Sequence, residues 1–328
     1  MTRRDLVIIG AGPAGLAAAI AARKSKIDYL VLERGVLVNA IFRFPTNMVF
    51  FTTPELLEIG GFPFMTPYEK PTRLEALRYY RRVVDALDLR ISFGESVMAV
   101  SQDEHGLSVE TLLDGDQRRV IHTKTVILAI GSYDQPNLLN IPGENLSHVS
   151  HYYREAHSYY RKRVVVVGGK NSAAETALDL YRNGANVTLV HRQASLSEGI
   201  KYWVLPDIEN RIKEGSIDGR FKTRVIEIRS TSVVVECAGV KKEILADAVF
   251  LLTGYRPDTD LLTRCGIRFD RETCIPEYDE KTLETNVPDL FLAGQVVSGI
   301  HGGRVFIENG RFHGESVVAR IVERLSEG

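Results

Sequence analysis

The run Asp5-Leu6-Val7-Ile8-Ile9-Gly10-Ala11-Gly12-Pro13-Ala14-Gly15, continued by an alanine-rich stretch to Lys24 and then Tyr29-Leu30-Val31-Leu32-Glu33, decides the fold. Leu6–Ile9 is unbroken apolar sequence, the pattern of a strand covered on both faces. Gly10, Gly12 and Gly15 then form G-x-G-x-x-G where that strand gives way to a helix, with Pro13 and Ala14 inside the turn. Gly10 makes the turn, Gly12 lets the backbone approach a pyrophosphate, and Gly15 lets helix and strand pack closely. The helix N-terminus offers unpaired N–H groups and a positive dipole end. Glu33 closes the second strand, where a carboxylate accepts ribose hydroxyls. A glycine turn alone is a weak signal. Strand, helix and carboxylate together read as a dinucleotide-binding unit.

The same order recurs downstream. Arg163-Val164-Val165-Val166-Val167-Gly168 leads into an Ala/Leu run to Arg182, then Asn186-Val187-Thr188-Leu189-Val190-His191-Arg192. This is an internal repeat of a βαβ unit, not a short-period solenoid. Two further strands, Thr125–Ile130 and Ala248–Thr253, end on Gly131 and Gly254 and look like hinges between domains. Asp289–Gly294 reads as a last strand returning to the first sheet. Phe306–Leu325 reads as a terminal helix with Val317, Val318, Ile321 and Leu325 at helical spacing. The expected class is α/β, with two Rossmann-like domains: 136–254 inserted into a domain made of 1–135 and 255–328.

The second unit differs from the first. In Gly168-Gly169-Lys170-Asn171-Ser172-Ala173, Lys170 stands where the second motif glycine would be. It either obstructs a phosphate or supplies a cation to it. Asn171 and Ser172 are expected to donate hydrogen bonds there. The strand ends on His191-Arg192 rather than on a carboxylate. An acid would repel a 2′-phosphate, whereas arginine accepts it bidentately. The expected cofactor here is therefore NADPH, with Gly254 placed beside it.

Composition narrows the function classes. The chain has 328 residues, 41 Lys plus Arg against 42 Asp plus Glu, and a net charge of −1. Such balance gives no nucleic-acid footprint. No apolar run reaches the ~18 residues of a membrane span, and Leu6–Ile9 leads into glycines rather than a cleavage site. The expected location is the cytoplasm. Cys237, Cys265 and Cys274 have neither zinc-ribbon nor Cys-x-x-Cys spacing. His148, His151 and His157 sit among Tyr152, Tyr153, Tyr159 and Tyr160. They read as a packed aromatic segment, so no metal is expected.

The first motif, Glu33, the two glycine exits and Leu290-Phe291-Leu292-Ala293-Gly294 together resemble the two-dinucleotide-fold flavoproteins over nearly the whole chain. That group includes thioredoxin reductases, related ferredoxin–NADP reductases and flavin monooxygenases. The resemblance implies FAD in the first domain and NADPH in the inserted one. It places the backbone of Val97 at the adenine, and Gln295 where relatives carry an aspartate for the ribityl chain. Four segments resemble the bacillithiol disulfide reductase family more narrowly: Gly168–Ala173, Ile200–Pro206, Phe50–Thr53 and Phe306–Gly314. This implies an FAD-containing, NADPH-dependent reductase of a small-molecule disulfide, and a homo-oligomer, dimer or tetramer. Many members carry cysteine between Pro13 and Gly15; this chain has Ala14. With no Cys-x-x-Cys either, a dithiol relay is excluded.

The chemistry is then expected at the flavin itself. A helix starting near Arg304-Val305-Phe306 would aim its N–H groups at the flavin's pyrimidine edge. His301 and Arg304 are candidates to orient substrate, or are solvated loop residues. Phe42–Pro63, aromatic and turn-rich, is expected to wrap the flavin ring, with Thr46 and Phe51 in contact. A flavin monooxygenase, a ferredoxin or flavodoxin reductase, and a nucleotide-binding redox sensor are the competing readings.

Overall fold

The computed structural model describes residues 3–104 and 106–327. Two compact units emerge. One holds the described residues up to Phe42, Val49–Gln135 and those from Tyr255 onward; the other holds Arg43–Met48 and Pro136–Gly254.

In the first unit, strands Ile91–Phe93, Tyr29–Glu33, Arg4–Ile9, Gln117–Leu128, Gly106–Leu113 and Glu95–Asp103 lie side by side in that order. Leu290–Leu292 also joins Gln117–Leu128, in parallel, with Leu290 opposite Val126. The strands nearest Arg4–Ile9 are parallel to it, while Glu95–Asp103, Gly106–Leu113 and Gln117–Leu128 form an antiparallel meander. Leu6, Val7 and Ile8 are wholly buried, which is why the strand carries no polar alternation. The helix Pro13–Lys24 buries Gly15–Ile20 and Ala22. Its small side chains let the C-terminal helix come close: a Cβ on Gly314 would lie 2.5 Å from the Ala18 nitrogen. That last helix runs Ile307–Glu327.

In the second unit a parallel sheet runs Asp218–Arg220, Asn186–Val190, Arg163–Val167, Ala248–Leu251, Val149–Ser150. The valine run splits by strand alternation. Val164 and Val166 pack with the helix residues Ala173, Ala174 and Ala177. Val165 and Val167 pack with Val225, Ile228, Val233 and Val235. The latter belong to a three-stranded antiparallel ribbon, Thr223–Ile228, Ser232–Cys237 and Val240–Leu245.

Candidate functional sites

The first glycine turn sorts its glycines by cause. Gly10 has φ +106°, and a Cβ there would sit 2.6 Å from the Ala129 carbonyl oxygen. A Cβ on Gly15 would lie 1.9 Å from the Gly10 oxygen. Both glycines are forced by protein packing. Gly12 is different: its backbone is ordinary, φ −78° and ψ 176°, and a Cβ there meets no atom within 4 Å. The space above it is what a diphosphate needs, and the first helical turn holds no acidic side chain. Glu33 is 6% exposed. Its Oε2 accepts from Ala11 N and its Oε1 from Gly35 N, each at 2.8 Å. Burial pushes its pKa up, and the two backbone donors pull against that. A carboxylate has about four lone-pair positions, so each oxygen still has capacity for a ribose hydroxyl. These features fit the adenosine diphosphate part of a dinucleotide.

Around this turn, Val97 lies at a register shift in the Glu95–Asp103 strand. Such a bulge takes backbone groups out of the ladder. Gly131, φ +63°, opens onto free space. Gly294, φ +77°, packs against Ala14, whose Cβ would be 2.8 Å from a Cβ on Gly294. The Gly294 N–H donates to His313 Nδ1 at 3.2 Å, and Gln295 Nε2 donates to the Gly302 oxygen at 3.2 Å. Val305 is buried and Phe306 is 56% exposed.

The last helix starts at Ile307, one residue beyond the expected Phe306. The Phe306 N–H, expected to face a flavin, donates to Asn309 Oδ1 at 2.8 Å, and Asn309 Nδ2 donates to the Arg304 oxygen. Asparagine within reach of its own helix start takes the open donor. His301 and Arg304 are both exposed on the loop before this helix. Thr46 groups with the second unit, its N–H donating to the Arg154 oxygen at 2.8 Å. Phe51 stays in the first unit, 55% exposed.

In the second unit, Gly168 has φ +151°, and a Cβ there would be 2.6 Å from the Leu252 oxygen and 2.8 Å from the Ala173 Cβ. Gly169 lies under the His191 ring, which a Cβ would meet at 2.3 Å. Lys170 is exposed and precedes the helix Asn171–Arg182 with extended backbone, φ −116° and ψ −170°. No glycine is required at that position. Asn171, expected to donate to phosphate, has its side chain engaged by a loop: Nδ2 donates to the Gly199 oxygen at 3.1 Å and Oδ1 accepts from Lys201 N at 2.9 Å. An amide NH2 carries two donor hydrogens, so these bonds leave it one. Ser172 is exposed. His191 has its pKa lowered by burial and then by Arg192, and Arg192 is exposed at the strand end. Gly254, φ +94°, accepts from Asn137 N at 2.9 Å.

The histidine-rich segment packs as aromatic structure: Tyr153 and Tyr159 meet Phe250 edge-on at 5.3 Å. Among the described residues no group of three or more His, Cys, Asp or Glu comes together. Cys237 is exposed, Cys265 and Cys274 are buried, and burial pushes the Cys265 thiol up to about 11. Among the described residues no helix is long and apolar enough to cross a membrane.

Residue-level reading missed His313, Gly310 and Gly314, which seat the last helix. It also missed the side-chain pair of Lys201 and Glu175 at 2.5 Å. For all of these but Glu175, the only sequence signal was membership in the segments that carried the family resemblance.

Comparison with known proteins follows the same lines. The pyridine nucleotide-disulphide oxidoreductase family matches residues 7–294. The bacilliredoxin reductase Bdr of Bacillus subtilis is 41% identical over 327 residues, 99% of either chain. The solved bacillithiol disulfide reductase Bdr (YpdA) from Bacillus cereus has a TM-score of 0.96 at 41% identity, covering 98% of this chain and 100% of that one. Its counterpart from Staphylococcus aureus has a TM-score of 0.93 at 36% identity, covering 99% of each. FAD and NADPH are the cofactors of this group. The chain is thus an oxidoreductase that belongs to the pyridine nucleotide-disulphide oxidoreductase family, in the branch of the bacillithiol disulfide reductases.

Proposed function

We propose that the enzyme uses NADPH to reduce bacillithiol disulfide, or the disulfide of a small protein carrying that thiol, through FAD. The observation that carries this reading is the full-length likeness to the Bacillus subtilis and Bacillus cereus proteins named above. FAD supplies two-electron transfer between the nicotinamide and the disulfide. The balance is one NADPH and one proton consumed per disulfide, giving NADP⁺ and two thiols.

In this reading the residues up to 135 and from 255 hold FAD, and residues 136–254 hold NADPH. Gly10, Gly12, Pro13, Ala14 and Gly15 receive the FAD diphosphate. Glu33 takes the ribose and Val97 the adenine. Gly131, Gly294, Gln295, Val305 and Phe306 bound the flavin, with Thr46 and Phe51 as further contacts. Gly168, Gly169, Lys170, Ser172, His191, Arg192 and Gly254 receive NADPH, Arg192 taking the 2′-phosphate. Asn171 acts one step back, holding the Gly199–Lys201 loop. His301 and Arg304 orient the disulfide. Ala14 offers no sulfur, so no mixed disulfide forms at that position.

An anaerobic titration tests this. NADPH should bleach the flavin, and bacillithiol disulfide should restore its absorbance with release of two thiols. Reduced flavin that persists until air or an electron-carrier protein is added would sink the disulfide and favour a monooxygenase or ferredoxin reductase. A cytoplasmic homo-oligomer, dimer or tetramer, completes the proposal, and light scattering in solution reads the assembly.

A further inference from the structure

We infer that His313 is a positioning residue for the FAD site: its neutral imidazole holds the Gly294–Gln295 turn in place, and protonation releases it. This rests on the placement of FAD proposed above.

Gly294 has φ +77° and gives its N–H to His313 Nδ1 at 3.2 Å. An imidazole that accepts at Nδ1 carries its proton on Nε2. The neighbouring Gln295 is itself directed, Nε2 donating to the Gly302 oxygen. The helix that carries His313 is seated by two glycines on either side of it. A Cβ on Gly310 would lie 3.2 Å from the Gly294 Cα, and one on Gly314 would lie 2.9 Å from the Ala14 oxygen. The helix therefore rests on both glycine turns at once, and His313 supplies a directional bond between them.

A protonated imidazole has a donor on both nitrogens. Nδ1–H would then face the Gly294 N–H, replacing attraction with repulsion inside a buried turn. The charges nearby do not prevent this. The Gly294–Ser298 turn carries none, and the first helix presents Ala14 and Ala18. From Pro54–Leu57 and the residue after it come Glu55 and Glu58, whose carbonyls bind Arg311 Nη1. Glu308, Arg311 and Glu315 share its helix. Burial alone shifts the His313 pKa, downward, so the ring is neutral at ordinary pH.

The test follows release of FAD from the holoprotein by flavin fluorescence on dilution, at about pH 7.5 and about pH 5.5, the range a histidine spans. His313→Asn keeps an acceptor near the Nδ1 position and cannot take up a proton. His313→Leu removes the acceptor. In wild type, release should accelerate in acid at least about fivefold more than in His313→Asn, the scale of one buried hydrogen bond. Glu33 contributes equally to both proteins and cancels in that ratio. His313→Leu should release FAD about tenfold faster than wild type already at neutral pH. Equal acid acceleration in wild type and His313→Asn overturns the inference, as does wild-type retention of FAD by His313→Leu. A wild-type protein that holds no FAD overturns the cofactor placement and this inference with it. FAD-loaded wild type with indifferent variants overturns this inference alone.

Discussion

The two glycine turns share a backbone plan and differ in what fills it. At Gly10–Gly15 one glycine, Gly12, faces empty space, and a buried carboxylate, Glu33, closes the second strand. At Gly168–Ala173 the corresponding place is an exposed Lys170, the adjacent Gly169 is filled by the His191 ring, and the strand ends on Arg192. The outer glycines, Gly10, Gly15 and Gly168, are set by protein packing in both turns, with Ala173 taking the last place in the second. No packing contact fixes the middle positions. In the proposed reading the first turn lets a diphosphate touch backbone and a ribose touch an acid, and the second meets a more anionic nucleotide with cations.

The largest effect expected from this contrast is at Gly15. Gly15→Ala puts a methyl 1.9 Å from the Gly10 oxygen. The strand and helix must separate, costing about 3 kcal/mol or more. Chemical denaturation of the apoprotein reads it, and wild-type stability would show that the turn has slack. Next is Arg192→Glu, which should lower the ratio of kcat/KM for NADPH over NADH about 100-fold. An unchanged ratio would move 2′-phosphate recognition elsewhere. Third is Gly12→Ala. Its backbone suits alanine, so apoprotein stability should shift by no more than about 1 kcal/mol. FAD should nevertheless leave about tenfold faster, because the methyl occupies the phosphate space. Equal losses from Gly12→Ala and Gly15→Ala would break the distinction between packing and ligand glycines.

Much of this plan was legible in the sequence because the determining forces are local. Valine runs without alternation demand a sheet covered on both faces, and the glycine turns announce the helix starts. Less visible was that each unit also carries an antiparallel meander. Its turns are short: Asp114-Gly115, in a three-residue loop, and Ala238-Gly239, a two-residue loop, both have positive φ at consecutive positions. The helix Arg73–Ala86 was signalled by Thr72 and Glu75, which form a reciprocal cap. What could not be read were contacts between residues far apart in the chain. Nothing local says that the Asn171 side chain reaches Gly199, or that His313 reaches Gly294. Thr46 illustrates the same limit: its position after Glu33 pointed to the first domain, and its hydrogen bond to Arg154 ties it to the second unit.

The smallest expected effect is a difference in sign. Glu33 has its pKa raised in the folded protein, chiefly by burial. Its contribution to apoprotein stability is therefore present in acid and lost as pH rises through the folded value. Its proposed service to the ribose runs the other way, since only the ionised carboxylate accepts with both oxygens. Acid should thus weaken FAD binding through Glu33, by about threefold between pH 7 and pH 5. His191 has its pKa lowered, by burial and by Arg192. Its contribution to stability is present above the ordinary histidine value of about 6.5 and is lost as pH falls through the folded value. For the nucleotide the sign reverses again: the imidazolium formed in acid adds a cation beside Arg192 and favours a 2′-phosphate. NADPH binding should tighten about twofold to threefold over the same interval. Fluorescence titrations of NADPH, and FAD release in the His313→Asn background, separate the two. Opposite slopes would establish that the repeat carries an acidic and a basic solution to the same problem. Parallel slopes would mean that one of the two side chains does not touch its nucleotide.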